Sequence, residues 1–355
     1  VFRLNPQTLK KLRRFRQIKR GYYSFLVLAG LLVLLGLGEL LINSRALLVK
    51  YEGQLFFPTY SAFHPGTDFG LDYSYETNYR ELQRKFAAEG GDNWVLMPLV
   101  PYNPYENHAP GGIFTPLPPS ADSQHYLGTD TTSRDILARL FYGTRIALLF
   151  AMAFTICVYL VGISVGCAMG YFGGVFDLVF QRVIEIWSNI PFLYMVIIVF
   201  SVIPASVSLA SRIGILLTVM VLFSWTGMTY YMRTETYKEK SRDYTSAARI
   251  IGASNTRIIF RHILPNVLST LVTFMPFTIV SAISAITALD FLGFGLPPPT
   301  PSLGELLKQG TANLRTAPWI VISAFGTLVA LLTLVTFIGE AVRESFDPKT
   351  FSIYQ

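Results

Sequence analysis

Apolar positions in this chain gather into six long runs, at 22–42, 145–170, 183–203, 213–232, 267–289 and 318–338. Each comes close to the ~20 residues a helix needs to cross the hydrocarbon layer of a bilayer. A helix is what such a run predicts, because an open strand edge would leave backbone N–H and C=O groups unpaired in lipid. Between the first two runs the pattern turns polar, aromatic and turn-rich, over 44–126. Its first half is mildly acidic (Asp68, Asp72, Glu76, Glu81, Glu89, Asp92), with a short helix expected near Asn78–Ala88. In its second half Pro98, Pro101, Pro104, Pro110, Pro116, Pro118 and Pro119, with Gly111 and Gly112, exclude regular helix. The segment reads as a small subdomain or as an extended loop packed on its neighbours. A second distinctive stretch is 290–317. Pro297, Pro298, Pro299 and Pro301 stiffen it, and Ser302–Leu307 then reads as a short helix capped by Ser302, with Glu305 at the capping-box position. Such a helix can lie across the mouth of a pore or serve as an ordinary interface element.

Composition agrees with a membrane chain. Hydrophobic residues make up 52% and charged residues 14%, too little charge to solvate a soluble domain of this length. The net charge of +7 raises the question of nucleic acid, but its placement answers otherwise. Lys10, Lys11, Arg13, Arg14, Arg16, Lys19 and Arg20 crowd immediately before the first apolar run, the mark of a cytoplasmic flank and not of a base-reading surface. Arg233, Lys238, Lys240, Arg242, Arg249, Arg257 and Arg261 fill the segment after the fourth run. Both basic segments are therefore expected inside, with 44–126 outside. Gly21–Ile42 has no small-residue cleavage site after it and is too long for a signal-peptide core, so it reads as a retained anchor. Cys157 and Cys167 share one apolar run and fit neither a zinc site nor a disulfide framework.

Catalytic motifs are absent. No Gly-Lys pair supplies a phosphate-binding loop, no His-Glu-x-x-His occurs, and His64, His108, His125 and His262 are scattered. No paired aspartates suited to an intramembrane protease lie in the runs. Ionisable residues are confined to run ends (Glu39, Asp290, Glu340) or to Arg182 and Glu185, which pair at i, i+3 spacing. A proton-driven carrier would place charge inside its spans, so an external energy source is the better inference.

The segment Asp243–Pro265 carries the strongest local signal. On a continuous helix Ala248 and Gly252 would stack on one face and let a partner approach closely. A glycine costs a helix about 1 kcal/mol relative to alanine, so Gly252 needs either a turn or a close contact as its reason. Pro265 is expected to end this helix and begin the fifth span. The alternatives are a docking helix and a surface linker.

The stretch Ser246-Ala247-Ala248-Arg249 with Gly252 and Ala253, followed by Leu264-Pro265, resembles the EAA loop of ABC importer permeases, with Ser246 where that family carries glutamate. The resemblance implies that these residues form the coupling helix that docks on a cytoplasmic ATPase. Further stretches resemble the dipeptide, oligopeptide and nickel branch. They are Leu127-Gly128-Thr129-Asp130, Arg134-Asp135-Ile136-Leu137-Ala138-Arg139-Leu140, Tyr142–Arg145, Gly170–Gly174, Ile190-Pro191, Ala288–Gly295, Pro299–Ser302 and Arg343–Pro348. They imply a periplasmic gate or family signature at Gly128, Thr129, Asp130, Arg134, Asp135, Asp290, Gly293 and Gly295. The long outside insertion is similar to the subgroup that imports the peptide–nucleotide antibiotic microcin C along with oligopeptides.

From this resemblance we expect an all-α membrane protein, a type I ABC importer permease of about six transmembrane helices with a small periplasmic insertion. Its expected parts are a basic cytoplasmic N-terminus (1–21), a first transmembrane helix (22–43), the insertion (44–126), the permease domain (127–340) with coupling loop 233–266, and a cytoplasmic tail (341–355). The resemblance implies a non-catalytic subunit in the bacterial inner membrane with both termini cytoplasmic. It would bind no cofactor or metal itself, with ATP and Mg on partner ATPase subunits. Its other partners would be a second homologous permease, a periplasmic peptide-binding protein and membrane lipid. A nickel or other small-solute importer of the same branch is the alternative, and a membrane-anchored receptor or structural protein the alternative of another class.

Overall fold

A computed structural model describes residues 6–109, 112, 114–204 and 206–346. Pro110, Gly111 and the Asp347-Pro348 end of the last family stretch, together with the rest of the tail, lie outside the described residues.

The apolar runs become helices. A basic helix α1 (Pro6–Gln17) precedes α2 (Lys19–Gly36), and a single turn α3 (Gly38–Leu41) follows, so the first run is two helices instead of one. The other long helices are α5 (Ile136–Phe172), α8 (Leu209–Lys240), α11 (Leu264–Leu292) and α13 (Pro318–Phe346). The third run does not give a straight span. It is split between α6 (Gly174–Ser188) and α7 (Phe192–Val202), whose axes differ by 74°. Pro191 is the cause: it has no N–H to donate, and its ring disfavours helical backbone at Ile190. Among the described residues five helices are long and apolar enough to cross a membrane, and the bent pair can supply a sixth crossing.

Small residues set the closest packing. Gly162, Gly166 and Gly170 recur one turn apart along α5, facing α8. A Cβ on them would come within 2.6 Å of Met228 Cβ, 2.5 Å of the Thr229 carbonyl and 2.6 Å of the Arg233 carbonyl, so only glycine lets the two backbones approach this far. The α6 helix is tied to the same partner through a bidentate Arg233–Asp177 pair, which Tyr237 completes with a 2.9 Å hydrogen bond to Asp177.

The 44–126 segment has a core of its own. Strands β1 (Leu48–Tyr51), β2 (Gln54–Phe56) and β3 (Trp94–Leu96) form an antiparallel sheet in the order β2-β1-β3, in register Val49↔Phe56 and Val49↔Val95. The helix α4 (Tyr79–Glu89) packs across it, burying Tyr79, Leu82 and Phe86 against Val49, Phe69 and Val95. Asn78 caps α4 by accepting from the Glu81 N–H, and Gly90 ends it. A second, smaller cluster of Ile42, Val100, Tyr102 and Ala138 joins this unit to the first turn of α5.

Candidate functional site

The two ends of the helical bundle carry the chemistry. At the end bearing the insertion, a buried charge network joins the start of α5 to the short helix α12 (Leu303–Ala312). The backbone of 128–135 is folded so that Asp130 accepts from the Thr132 and Arg134 N–H groups at 2.9 and 3.0 Å. The same carboxylate accepts from Arg134 Nε at 2.8 Å and lies 3.3 Å from Arg139 Nε, the latter an ionic contact without hydrogen-bond geometry. Both arginines reach Glu305 on α12, Arg134 at 3.1 Å and Arg139 more closely. Two cations thus meet two anions, with Arg139 and Asp130 fully buried. Burial pushes the Asp130 carboxyl up, but Arg134 and Arg139 outweigh it and hold the group below the usual carboxylate range.

The remaining residues implied for this end surround that network. Asp135 caps α5 through the Ala138 N–H at 2.7 Å and holds buried His125 at 2.8 Å. Thr129 binds the Leu117 N–H through its hydroxyl and accepts from the Trp319 indole at its carbonyl, with Gly128 packed under the same Trp319. Asp290, at the last turn of α11, accepts from the Leu296 N–H and from the Ser302 hydroxyl, both at 2.6 Å. Gly293 ends α11, and a Cβ at Gly295 would lie 1.8 Å from the Asp290 carboxylate. Ser302 in turn caps α12 by accepting from the Glu305 N–H. Glu305 makes only the N–H half of a capping box, because its carboxylate goes to the arginines. The structure therefore brings Gly128, Thr129, Asp130, Arg134, Asp135, Asp290, Gly293 and Gly295 to one end. Arg139, Glu305, Ser302 and His125 complete the site beyond the residues that the resemblance implies. The available signal is Arg139 itself, in the first turn of α5 just ahead of the 145–170 run, where a buried unpaired charge would be costly.

At the opposite end, the loop after α8 forms α9 (Asp243–Ile250), a three-residue turn α10 (Asn255–Arg257) and a π-helical stretch Ile258–Ile263 that runs into α11. Two expectations are corrected here. Ala248 and Gly252 do not share a helix face, because α9 stops at Ile250 and Gly252 has φ +86°. The Gly252 N–H bonds the Arg249 carbonyl and the Ala253 N–H bonds the Ala248 carbonyl, each at 3.0 Å, a Schellman closure that requires left-handed backbone at Gly252. Pro265 begins the fifth span as expected but ends no helix. It sits in the first turn of α11, where its missing N–H is not needed, and helical backbone passes through it.

This closure sorts the loop into an anchored and an open side. Thr245 and Ala248 are buried, while Ser246, Ala247 and Arg249 face out. Ile250 and Ile251 are 87% and 85% exposed. Beneath them Tyr171, at the end of α5, donates to Asn255 at 2.7 Å and lies under the Arg249 guanidinium. Leu264 and Pro265 stand at the base, where the loop enters α11.

Between the two ends, α5, α7, α8 and α11 line a groove of about 540 Å³. Phe154, Met220, Met228 and Phe274 give it apolar walls, and Thr278 and Ser281 add hydroxyls.

Such a chain, a bundle of apolar helices with a charged clamp at one end and an open helix tip at the other, is a polytopic membrane subunit. Residues 162–351 match the family model described as "Binding-protein-dependent transport system inner membrane component". The chain is 42% identical over 350 residues to the inner membrane ABC transporter permease protein YejE of Escherichia coli K12, covering 98% of both chains. It is 37% identical over 379 residues to the peptidoglycan transport system permease protein YejE of Agrobacterium fabrum (98% and 94% covered). It is 33% identical over 260 residues to the dipeptide transport system permease protein DppC of Haemophilus influenzae (72% and 85% covered). The chain belongs to this family of transport permeases, in the branch that holds the peptide permeases.

Proposed function

We propose that this chain is one of two permease subunits of an ATP-driven importer for oligopeptides, peptide–nucleotide antibiotics such as microcin C among them. The observation that carries the reading is the 246–253 tip. A short helix closed by Gly252 presents Ile250 and Ile251 to solvent, while Thr245, Ala248 and Tyr171 fix it to the bundle. An apolar pair this exposed on a rigid base fits a surface that docks on another protein, here a cytoplasmic ATPase. ATP and Mg belong to that partner. A second permease would close the 540 Å³ groove into a path, and a periplasmic binding protein would deliver substrate to the Asp130–Glu305 end. The name of the Agrobacterium relative, a peptidoglycan transport system permease, adds peptidoglycan as a second candidate substrate.

In this reading both termini and residues 233–266 are cytoplasmic and 44–126 is periplasmic. Asn107 and Ser254 are both exposed, so cysteines placed there report the orientation. In intact spheroplasts an impermeant thiol reagent should label Asn107→Cys and spare Ser254→Cys. Reversed labelling would overturn the topology. For the coupling role, the purified chain alone should not hydrolyse ATP, and hydrolysis stimulated by loaded binding protein should appear on reconstitution with its ATPase and sister permease. Turnover by the isolated chain would sink the assignment.

A further inference from the structure

We propose that the basic end of the bundle holds an anionic phospholipid, with its phosphate at Lys11 and Arg16 and an acyl chain in the groove below them. The groove has a volume of about 470 Å³ and is formed by α1, α2, α11 and α13. That lies within the ~300–1,000 Å³ range of small-molecule clefts. Its floor is Leu12, Phe15, Phe25, Val272, Ile338 and Val342, an apolar lining that offers an occupant almost no hydrogen bonds. Its rim is cationic. Lys11 Nζ lies 4.3 Å over the Phe346 ring and the Arg16 guanidinium 5.9 Å from the Tyr22 ring, so among the described residues each charge is held at the mouth by an aromatic neighbour and by no carboxylate.

The surrounding charge is one-sided. Residues 1–38 contain no Asp or Glu, while Lys10, Lys11, Arg13, Arg14, Arg16, Lys19 and Arg20 fall within eleven positions of one another. Across the groove α13 offers Glu340, which pairs with Arg20 at 3.4 Å, and Glu344 beside Arg343. A cationic rim above an apolar slot at a membrane surface is complementary to one occupant, a lipid with a negative headgroup, and a zwitterionic headgroup would meet the same rim with less attraction. The edge-on contact of Phe15 with Phe25, centroids 6.0 Å apart, joins α1 to α2 along the slot. A bound chain would therefore staple the amphipathic α1 to the bundle.

The test uses the full chain assembled with its partner subunits in mild detergent, and the probes are phosphatidylglycerol and phosphatidylethanolamine. Native mass spectrometry should show phosphatidylglycerol retained at least ten-fold over phosphatidylethanolamine. Lys11→Glu with Arg16→Glu should abolish that preference, and Val342→Trp, which fills the floor, should reduce retention of both lipids. Assembly with the partners serves as the folding control for each variant. Equal retention of the two lipids by the wild type, or an unchanged preference in the double variant, would overturn the proposal. So would a protein segment, and not lipid, cross-linking to a photoreactive group at Val342. Retention in detergent does not depend on which way the chain faces, so failure here is separable from failure of the topology.

Discussion

The two ends of this bundle solve opposite problems with opposite chemistry. At the insertion end, Asp130, Arg134, Arg139 and Glu305 bury balanced charge, and each backbone turn among them is pinned by a side chain. At the loop end, among the described residues, no buried ion pair holds α9. A backbone closure at Gly252 and the packing of Ala248 and Thr245 leave two isoleucines in solvent. The first arrangement tolerates little movement, since separating buried charges is costly in low dielectric. The second is a rigid tip on a surface, suited to being pushed as a body. The contrast assigns a fixed, charge-pinned junction to the clamp between α5 and α12 and an open apolar surface to the tip at Ile250 and Ile251.

The largest effect should follow from removing one charge at the clamp. Arg139→Met leaves Asp130 and Glu305 sharing Arg134, and breaking a buried pair this way costs about 3–5 kcal/mol. Thermal unfolding of the detergent-solubilised complex should shift markedly downward, with α12 becoming protease-sensitive. Unchanged stability would mean that the network is ornamental.

At the loop end the effect of substitution should be smaller and independent of side-chain size. Nothing lies within 4 Å of a Cβ built on Gly252, so the penalty comes from its φ of +86° alone. Left-handed backbone costs an L-residue roughly 1–2 kcal/mol. Gly252→Ala and Gly252→Leu should therefore impair uptake to a similar degree at normal membrane levels. A Leu variant far worse than Ala would instead point to a packed interface at this position.

The conformation of Gly252 and the long-range pairing of Glu305 are the two features that local sequence pattern does not carry. Ala248 and Gly252 are four apart, which on a continuous helix means one face, and only the conformation of Gly252 reveals that the helix has already ended. Glu305 was visible as a capping residue, but its two arginines lie 166 and 171 positions earlier, a pairing no local pattern carries. The apolar runs were readable because lipid imposes length and composition on every span. The break at Ile190-Pro191 was written in the proline, and the apolar run around it hid the bend. The three short strands of the insertion were not foreseen, since segments of three or four residues show too little alternation to declare a face.

The clamp should also carry a pH signature. Asp130 is held below its ordinary value of 3.8 in the folded protein. Its contribution is therefore fully present above that value and is lost as pH falls through the lower folded one. One such group can contribute at most ~1.4 kcal/mol per pH unit to the slope. In urea titrations below about pH 4, Asp130→Asn should begin less stable and lose less on acidification than the wild type. Parallel acid limbs would remove Asp130 from the account.

The smallest change in stability should accompany the most direct test of function. Ile250 and Ile251 are exposed, so Ile250→Asp with Ile251→Asp should alter unfolding by no more than about 0.5 kcal/mol per residue. The decisive measurement is ATP hydrolysis by the reconstituted transporter, with and without loaded binding protein, for this double variant beside the wild type. The account predicts normal expression and thermal stability, with stimulation by the binding protein and peptide uptake both lost. Normal stimulation together with normal uptake would contradict it, and the 246–253 tip would no longer be the element through which the ATPase moves the spans.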